Sequence, residues 1–240
     1  MSDDLLAIAE EAAQRFGELE TRPEYQGHLG RVALSREVVA WAHQAFGDDV
    51  TAASSMGDEV LVELIAQTEP ELDVFFLDTG FHFQETIDTR DHYAGRVRLR
   101  TVLPLLTVEE QNREHGERLF DRDPDRCCAI RKVEPLNRAL TGHHAWITGM
   151  RRVDAPTRTD ITLVGWDDKR GMVKINPIAA WDDDDVDRFA FEEDVFLNPL
   201  RERGYPSIGC APCTRPVAEG EDPRAGRWAG KNKTECGLHT

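Results

Sequence analysis

The sequence predicts an α/β protein built on a mostly parallel sheet flanked by helices. From Asp49 onward buried strand patterns alternate with helical ones, strand, helix, strand, helix, as a parallel sheet with crossover helices requires. The strand patterns run into polar turns, SSMGD and LDTG, at the carboxyl ends where such sheets bind ligands. The 240 residues, 40% apolar and 31% charged, suit one main core and exclude a disordered or disulfide-stapled chain. A single domain over 1–240 is expected.

Leu5, Leu6, Ile8, Ala9, Ala12, Phe16 and Leu19 recur at helical spacing and predict an amphipathic helix over Asp3–Glu20. A second helix is predicted over Ser35–Phe46, stopped by Gly47. DVTAASS then reads as a buried strand, MGDEVLVELIAQ as a helix, LDVFFLDTG as a strand and FHFQETIDTRDHY as a helix. VRLRTVL is a further strand, TVEEQNREHG a polar helix, DRCCAIRKVEPLNRAL one helix starting near a cysteine pair, and HAWITGM a strand. MRRVDAPTRTD is a loop, and ITLVGWDDKRGMVKINPI a hairpin turning at Asp167–Gly171. The acidic run Asp182–Asp185 reads as a helix N-terminus, where Asp caps and complements the dipole, without a cation. From Arg201 the chain is dense in Gly and Pro and loses periodicity, so residues 214–240 are expected to be a mobile segment, held if at all by something other than a hydrophobic core.

Charge narrows the function. A formal net charge of −16 argues against nucleic acid and anionic membrane as partners. With no apolar run of membrane-spanning length and an acidic start, a cytoplasmic protein is expected. The acidity is uneven: residues 126–158 carry 7 basic against 2 acidic side chains, and residues 201–240 carry 7 against 5. All five cysteines lie in these two basic stretches, a setting that lowers thiol pKa and attracts an anionic substrate.

Five cysteines divide as four plus one. Cys127 and Cys128 are adjacent and Cys210 and Cys213 form a CxxC, a metal-ligand pattern. Neighbouring thiolates diverge from a helix start, which suits a bulky iron–sulfur cluster better than one tetrahedral zinc, though zinc stays open. Cys236, in TECGLH downstream of Arg224, Arg227, Lys231 and Lys233 and beside His239, is the candidate nucleophile. Ser54, Ser55, Met56, Gly57 and Asp58 join a strand to a helix and form an anion cradle of hydroxyls, backbone N–H groups and helix dipole. The chain contains neither the P-loop nor the GxGxxG pattern.

These elements, with SSMGDEVL, FLDTGFHFQETI, CCAIRKVEPL, WITGMRRVDAPTR, VKINPIAAW, NPLRERGYPSIGCAPCTRPV, DPRAGRWAG and KTECGLH in this order, make the chain resemble the assimilatory sulfonucleotide reductases. It is most similar to their iron–sulfur type, which reduces adenosine 5′-phosphosulfate (APS). The resemblance implies an adenine nucleotide α-hydrolase-like fold and a 4Fe–4S cluster on Cys127, Cys128, Cys210 and Cys213. It further implies attack of Cys236 on the sulfur of APS, release of AMP, and discharge of the resulting S-sulfonate as sulfite by thioredoxin or a similar dithiol, in sulfate assimilation and cysteine biosynthesis. It puts Lys132 between cluster and substrate and Arg158, Arg224 and Arg227 on the phosphosulfate, with His239 in support. It has the Ser54, Ser55, Gly57, Asp58 turn and the Leu77, Asp78, Thr79, Gly80 turn embrace the nucleotide. Related nucleotide folds show SGG where this chain has Ser55, Met56 and Gly57, which speaks against ATP-pyrophosphatase chemistry.

Two alternatives stand beside this reading: reduction of the 3′-phosphorylated substrate, PAPS, alone or in addition, and a non-catalytic metal-binding redox module. A homo-oligomer is left open. Trp228, His143 and His144 are expected to serve packing and surface.

Overall fold

The computed structural model describes residues 2–231, 233, 237 and 238. Helices α1 (Ser2–Glu20) and α2 (Gly27–Phe46) lead into strand β1 (Val50–Ser54), helix α3 (Glu59–Thr68) and strand β2 (Asp73–Leu77). Helix α4 (Gln84–Tyr93) and strand β3 (Arg98–Val102) complete the first half. Helices α5 (Val108–His115), α6 (Leu119–Arg122), α7 (Pro124–Cys128) and α8 (Glu134–Leu140) then precede strand β4 (Ala145–Ile147). Strands β5 (Val164–Asp167) and β6 (Met172–Ile175) and helix α9 (Asp183–Glu192) follow.

Among the described residues the strands form one six-stranded sheet in the order β3-β2-β1-β4-β6-β5. Neighbours are parallel except β5 and β6, the predicted hairpin. The chain builds outward from β1 to β3, then returns to the other side of β1 with β4. That reversal makes the carboxyl ends of β1 and β4 the switch point where a crevice opens in such sheets.

Strand periodicity divides the core. Val74 and Phe76 of β2, with Ala145 and Ile147 of β4, pack on the face covered by α1, α2, α3 and α9. Phe75 and Trp146, one residue out of phase, face Leu136, Ala139 and Leu140 of α8 on the other side. At the head of α9 Asp182 accepts from the Asp185 backbone N–H at 2.9 Å while the Asp185 carboxylate accepts from the Asp182 backbone N–H at 3.1 Å, so the acidic run is a capping box. No helix among the described residues is long and apolar enough to cross a membrane.

The structure differs from expectation in two places. Helix α2 begins at Gly27, eight residues ahead of the predicted Ser35. Two glycines disguise its first turns, and packing demands one of them: a Cβ on Gly30 would lie 2.4 Å from the Tyr25 carbonyl carbon of the preceding turn. The predicted single helix over DRCCAIRKVEPLNRAL is α7, a π turn over Ala129–Val133, and α8. Pro135 has no N–H for the carbonyl four residues back and its ring crowds that carbonyl, so widening the turn lets the helix continue past it.

Beyond Arg201 the described chain runs in hydrogen-bonded turns, with one antiparallel bridge between Thr214 and Arg227. Trp228, 3% exposed, closes this stretch on itself, its backbone N–H donating to the Cys213 carbonyl at 2.9 Å.

Two glycines give opposite outcomes when replaced. Gly30→Ala is expected to lower stability by about 2 kcal/mol through backbone collision. Gly17→Ala in α1, where a Cβ meets nothing within 4 Å, is expected to raise it by about 0.5–1 kcal/mol by removing glycine's entropy. Denaturant unfolding midpoints of the two variants check both signs.

Candidate functional site

The turn after β1 is held by its own side chains. Asp58 Oδ1 accepts from Ser54 Oγ at 2.8 Å and from the Ser55 backbone N–H at 3.0 Å, and Met56 N–H donates to Ser54 Oγ at 3.1 Å. Met56 takes a φ of +54°, a strained value for a side-chain-bearing residue. Its carbonyl accepts from Asn198 Nδ2 at 3.2 Å. Arg201 braces the next residue, donating to the Gly57 carbonyl at 2.7 Å and to Glu59 Oε2 at 2.9 Å. Glu59, fully buried, also accepts from the Asn198 N–H at 2.9 Å. Burial pushes the Asp58 carboxyl up from its ordinary value against the lowering effect of the Ser54 hydrogen bond. Gly149, just past β4, leaves Asp58 its room: a Cβ there would come within 2.7 Å of Asp58 Oδ2.

The turn after β2 is tied to the cysteines. Gly80, at φ +71°, donates its N–H to Asp78 Oδ1 at 2.9 Å, and Thr79 Oγ1 lies 3.3 Å from Cys210 Sγ. The Phe81 carbonyl accepts from the Ala211 N–H at 2.7 Å. Arg131, on the π turn and 4% exposed, reaches the Thr79 carbonyl with Nε and Gln111 Oε1 with Nη1 at 3.1 Å.

Between these turns opens a cleft of about 740 Å³, within the range of small-molecule sites. Ser54, Ser55, Gly57, Asp58, Leu77 and Thr79 line it from the two turns, and Lys132, Arg158, Arg224 and Arg227 from the rest of the chain. Asp78 and Gly80 are not among the lining residues; they shape the turn that presents Leu77 and Thr79. Arg158 bonds Asp154 at 3.4 Å. Arg227 donates to the Ile208 carbonyl at 3.2 Å and lies across Gly209, where a Cβ would meet its Nη2 at 2.5 Å.

Cys127, Cys128, Cys210 and Cys213 line a second, smaller pocket walled by Phe81, Phe120, Pro124 and Pro212. Burial pushes the Cys127 thiol up to about 12, and the other three thiols push in the same direction, so the four lie within electrostatic reach of one another. Burial raises Cys213 as well, and the Lys132 cation opposes it. Lys132 and Trp228 line both pocket and cleft. Among the described residues no three His, Cys, Asp or Glu side chains are arranged as ligands to a single metal ion. Cys236 and His239 lie outside the described residues.

Sequence reasoning missed Arg131, Glu59, Asn198, Arg201 and His82, and read Trp228 as packing alone. His82 lines the cleft, its Nε2 bonded to the Leu77 carbonyl at 2.9 Å and its buried Nδ1 without a hydrogen-bond partner among the described residues.

The fold and site define a doubly wound α/β protein with a ligand cleft at its switch point and a thiol-lined pocket sharing one wall with it. A family profile, the phosphoadenosine phosphosulfate reductase domain, matches residues 50–216, and the chain belongs to that family. A Streptomyces coelicolor protein named adenosine 5′-phosphosulfate reductase is 50% identical over 237 residues, covering 98% of this chain and 100% of its own length. A Gloeobacter violaceus protein named phosphoadenosine 5′-phosphosulfate reductase is 52% identical over 209 residues, covering 84% and 87%. Among solved structures, the phosphoadenylyl-sulfate reductase of Candida auris, in complex with phosphate, superposes with a TM-score of 0.67 at 31% identity, covering 75% of this chain and 90% of its own.

Burial lowers the His82 pKa, with the Lys132 charge adding to the effect. A histidine whose folded pKa lies below its unfolded one contributes stability above the unfolded value of about 6.5, and loses it as pH falls towards the folded value. Urea unfolding is expected to show stability falling below pH 6.5 by at most about 1.4 kcal/mol per pH unit for this proton, a slope reduced in His82→Gln.

Proposed function

We propose that the protein reduces adenosine 5′-phosphosulfate to sulfite and AMP in assimilatory sulfate reduction, with a dithiol such as thioredoxin as reductant. The full-length relationship to proteins named for this activity, at 50% identity over 98% of the chain, carries the assignment.

The chemistry runs in two displacements. The Cys236 thiolate attacks the sulfur of the phosphosulfate; an S–S bond forms, the bond from sulfur to the bridging oxygen breaks, and AMP leaves with the electron pair. One thiolate of the dithiol then attacks the Cys236 sulfur and expels sulfite, and its second thiolate closes a disulfide and returns Cys236 reduced. The dithiol is oxidised by two electrons and the sulfonyl sulfur is reduced by two. Substrate and nucleophile are both negative, so fixed cations must hold them together. Lys132, Arg158, Arg224 and Arg227 line the cleft and supply those charges. The Ser54–Asp58 turn and the Leu77 and Thr79 backbone hold the nucleotide.

The donor set fits a 4Fe–4S cluster. Four cysteines line one pocket with aromatic walls and with Arg131 and Lys132 beside them, the all-thiolate donor set that such clusters take. Held by Cys127, Cys128, Cys210 and Cys213, the cluster would supply fixed charge beside the sulfonate. Lys132, lining both spaces, couples the two electrostatically.

The Gloeobacter relative named for the 3′-phosphorylated substrate, at 52% identity, favours testing PAPS as a second reading. Intact mass spectrometry of anaerobic protein mixed with APS, without reductant, is expected to show one added sulfonate that maps to Cys236; an equal adduct from PAPS moves the assignment to the second substrate. Cys236→Ser is expected to lose the adduct and lower sulfite formation more than about a thousandfold while keeping iron and acid-labile sulfide. Zinc without sulfide, and no adduct from either nucleotide, would instead support a metal-binding redox module.

A further inference from the structure

The turn from β1 into α3 reads in sequence as an anion cradle, but in the structure its own carboxylate fills that cradle. Asp58 Oδ1 accepts from the Ser54 hydroxyl at 2.8 Å, the Ser55 backbone N–H at 3.0 Å and the Ser55 hydroxyl at 3.3 Å. The Met56 N–H goes to Ser54 Oγ. With those donors occupied, the turn offers the cleft an acceptor: Asp58 Oδ2, which has no hydrogen bond among the described residues. Asp154 and Asp183, also on the cleft wall, pair with Arg151, whereas Asp58 forms no ion pair among the described residues. Burial pushes its pKa up and the Glu59 charge adds to that, against the Ser54 hydrogen bond. Oδ2 sits at the switch point itself, between the ends of β1 and β4, where Gly149 carries no Cβ to cover it.

We propose that Asp58 Oδ2 accepts a hydrogen bond from the 3′-hydroxyl of the substrate's ribose, and that this carboxylate excludes a 3′-phosphate and so makes APS, not PAPS, the substrate. The assignment rests on the proposed reductase function and decides between its two substrates. A sulfonucleotide offers a carboxylate few donors. Its phosphosulfate is anionic and belongs with Lys132, Arg158, Arg224 and Arg227, which leaves the ribose hydroxyls and the adenine amine. At the switch point of a doubly wound sheet an acid takes a ribose hydroxyl, and an arginine is what accommodates a phosphate ester in its place. Arg201, the cation beside this turn, is held by the Gly57 carbonyl and Glu59. Esterifying the hydroxyl therefore acts twice. It removes the donor and leaves a desolvated acceptor unpaired, and it sets a phosphate against a carboxylate.

Calorimetric titration of anaerobic, cluster-loaded protein tests recognition without turnover. Wild-type protein is expected to bind AMP, to bind 3′-deoxy-AMP about tenfold more weakly, and to bind adenosine 3′,5′-bisphosphate at least about a hundredfold more weakly. In Asp58→Asn the amide oxygen keeps the bonds of Oδ1 and the amide nitrogen replaces Oδ2, a donor in place of an acceptor. There the penalty on 3′-deoxy-AMP is expected to vanish and the bisphosphate to bind at least as well as AMP. Ser54→Ala loosens the turn but keeps the carboxylate, and is expected to weaken all three ligands alike. A gap between AMP and the bisphosphate that survives in Asp58→Asn would overturn the assignment, as would a gap that closes equally in Ser54→Ala, which marks the shape of the turn. Wild-type protein that binds AMP and the bisphosphate alike would overturn it too, and all three results leave the reductase function standing. Failure of wild-type protein to bind any of the three ligands would overturn both.

Discussion

One buried guanidinium holds the site together. Arg131 reaches from the cysteine-bearing helix to the Thr79 carbonyl, to Gln111 and to the Leu106 carbonyl, and lies over Phe81, 5.3 Å from the ring centroid. Those partners belong to the turn after β2 and the segment after β3, so a single charge joins the sheet's carboxyl edge to the helix that carries Cys127 and Cys128. Burial lowers its pKa and the nearby Cys127 thiol opposes that shift. Its donors are spent on carbonyl oxygens and an amide, which offsets the cost of taking an arginine out of water. Through the Thr79 carbonyl it braces a residue that lines the cleft and touches Cys210.

The cleft cations are arranged by the same economy. Arg151, Arg158 and Arg201 each meet an acid, Asp154 for the first two and Glu59 for the third. An acid behind a guanidinium fixes its direction before any ligand arrives, so the reorganisation is complete in advance. The cleft lining carries six basic side chains against six acidic ones, a balance that sets it apart from the rest of a chain of net charge −16.

How much was legible in the sequence follows from the kind of signal involved. The strand and helix alternation and the cap at Asp182 are local patterns, and the structure has them where the residues put them. The start of α2 was hidden because Gly30 obeys a packing demand from Tyr25 and Gly27 takes a φ of +67°, neither of them a helical preference. Lys132, Arg158, Arg224 and Arg227 could be picked out as cations near cysteines or through the resemblance. Arg131, Glu59, Asn198 and Arg201 could not, because their roles consist of bonds to residues between 20 and 144 positions away. Trp228 read as packing because an indole in a glycine-rich stretch gives no hint that it lines two spaces at once.

The π turn over Ala129–Val133 sets a rotational phase. One residue in an α-helix is worth about 100° of turn, and a π turn accommodates one residue beyond what α geometry admits. Upstream of it the helix aims Cys127 and Cys128 at Cys210 and Cys213; downstream it aims Leu136, Ala139 and Leu140 at the sheet. A chain shorter by one residue in this stretch could keep its apolar face on the sheet only by swinging the cysteine pair out of the pocket. The length of this helix is therefore set as tightly as its residue types, and insertions or deletions are excluded here in a way that substitutions are not.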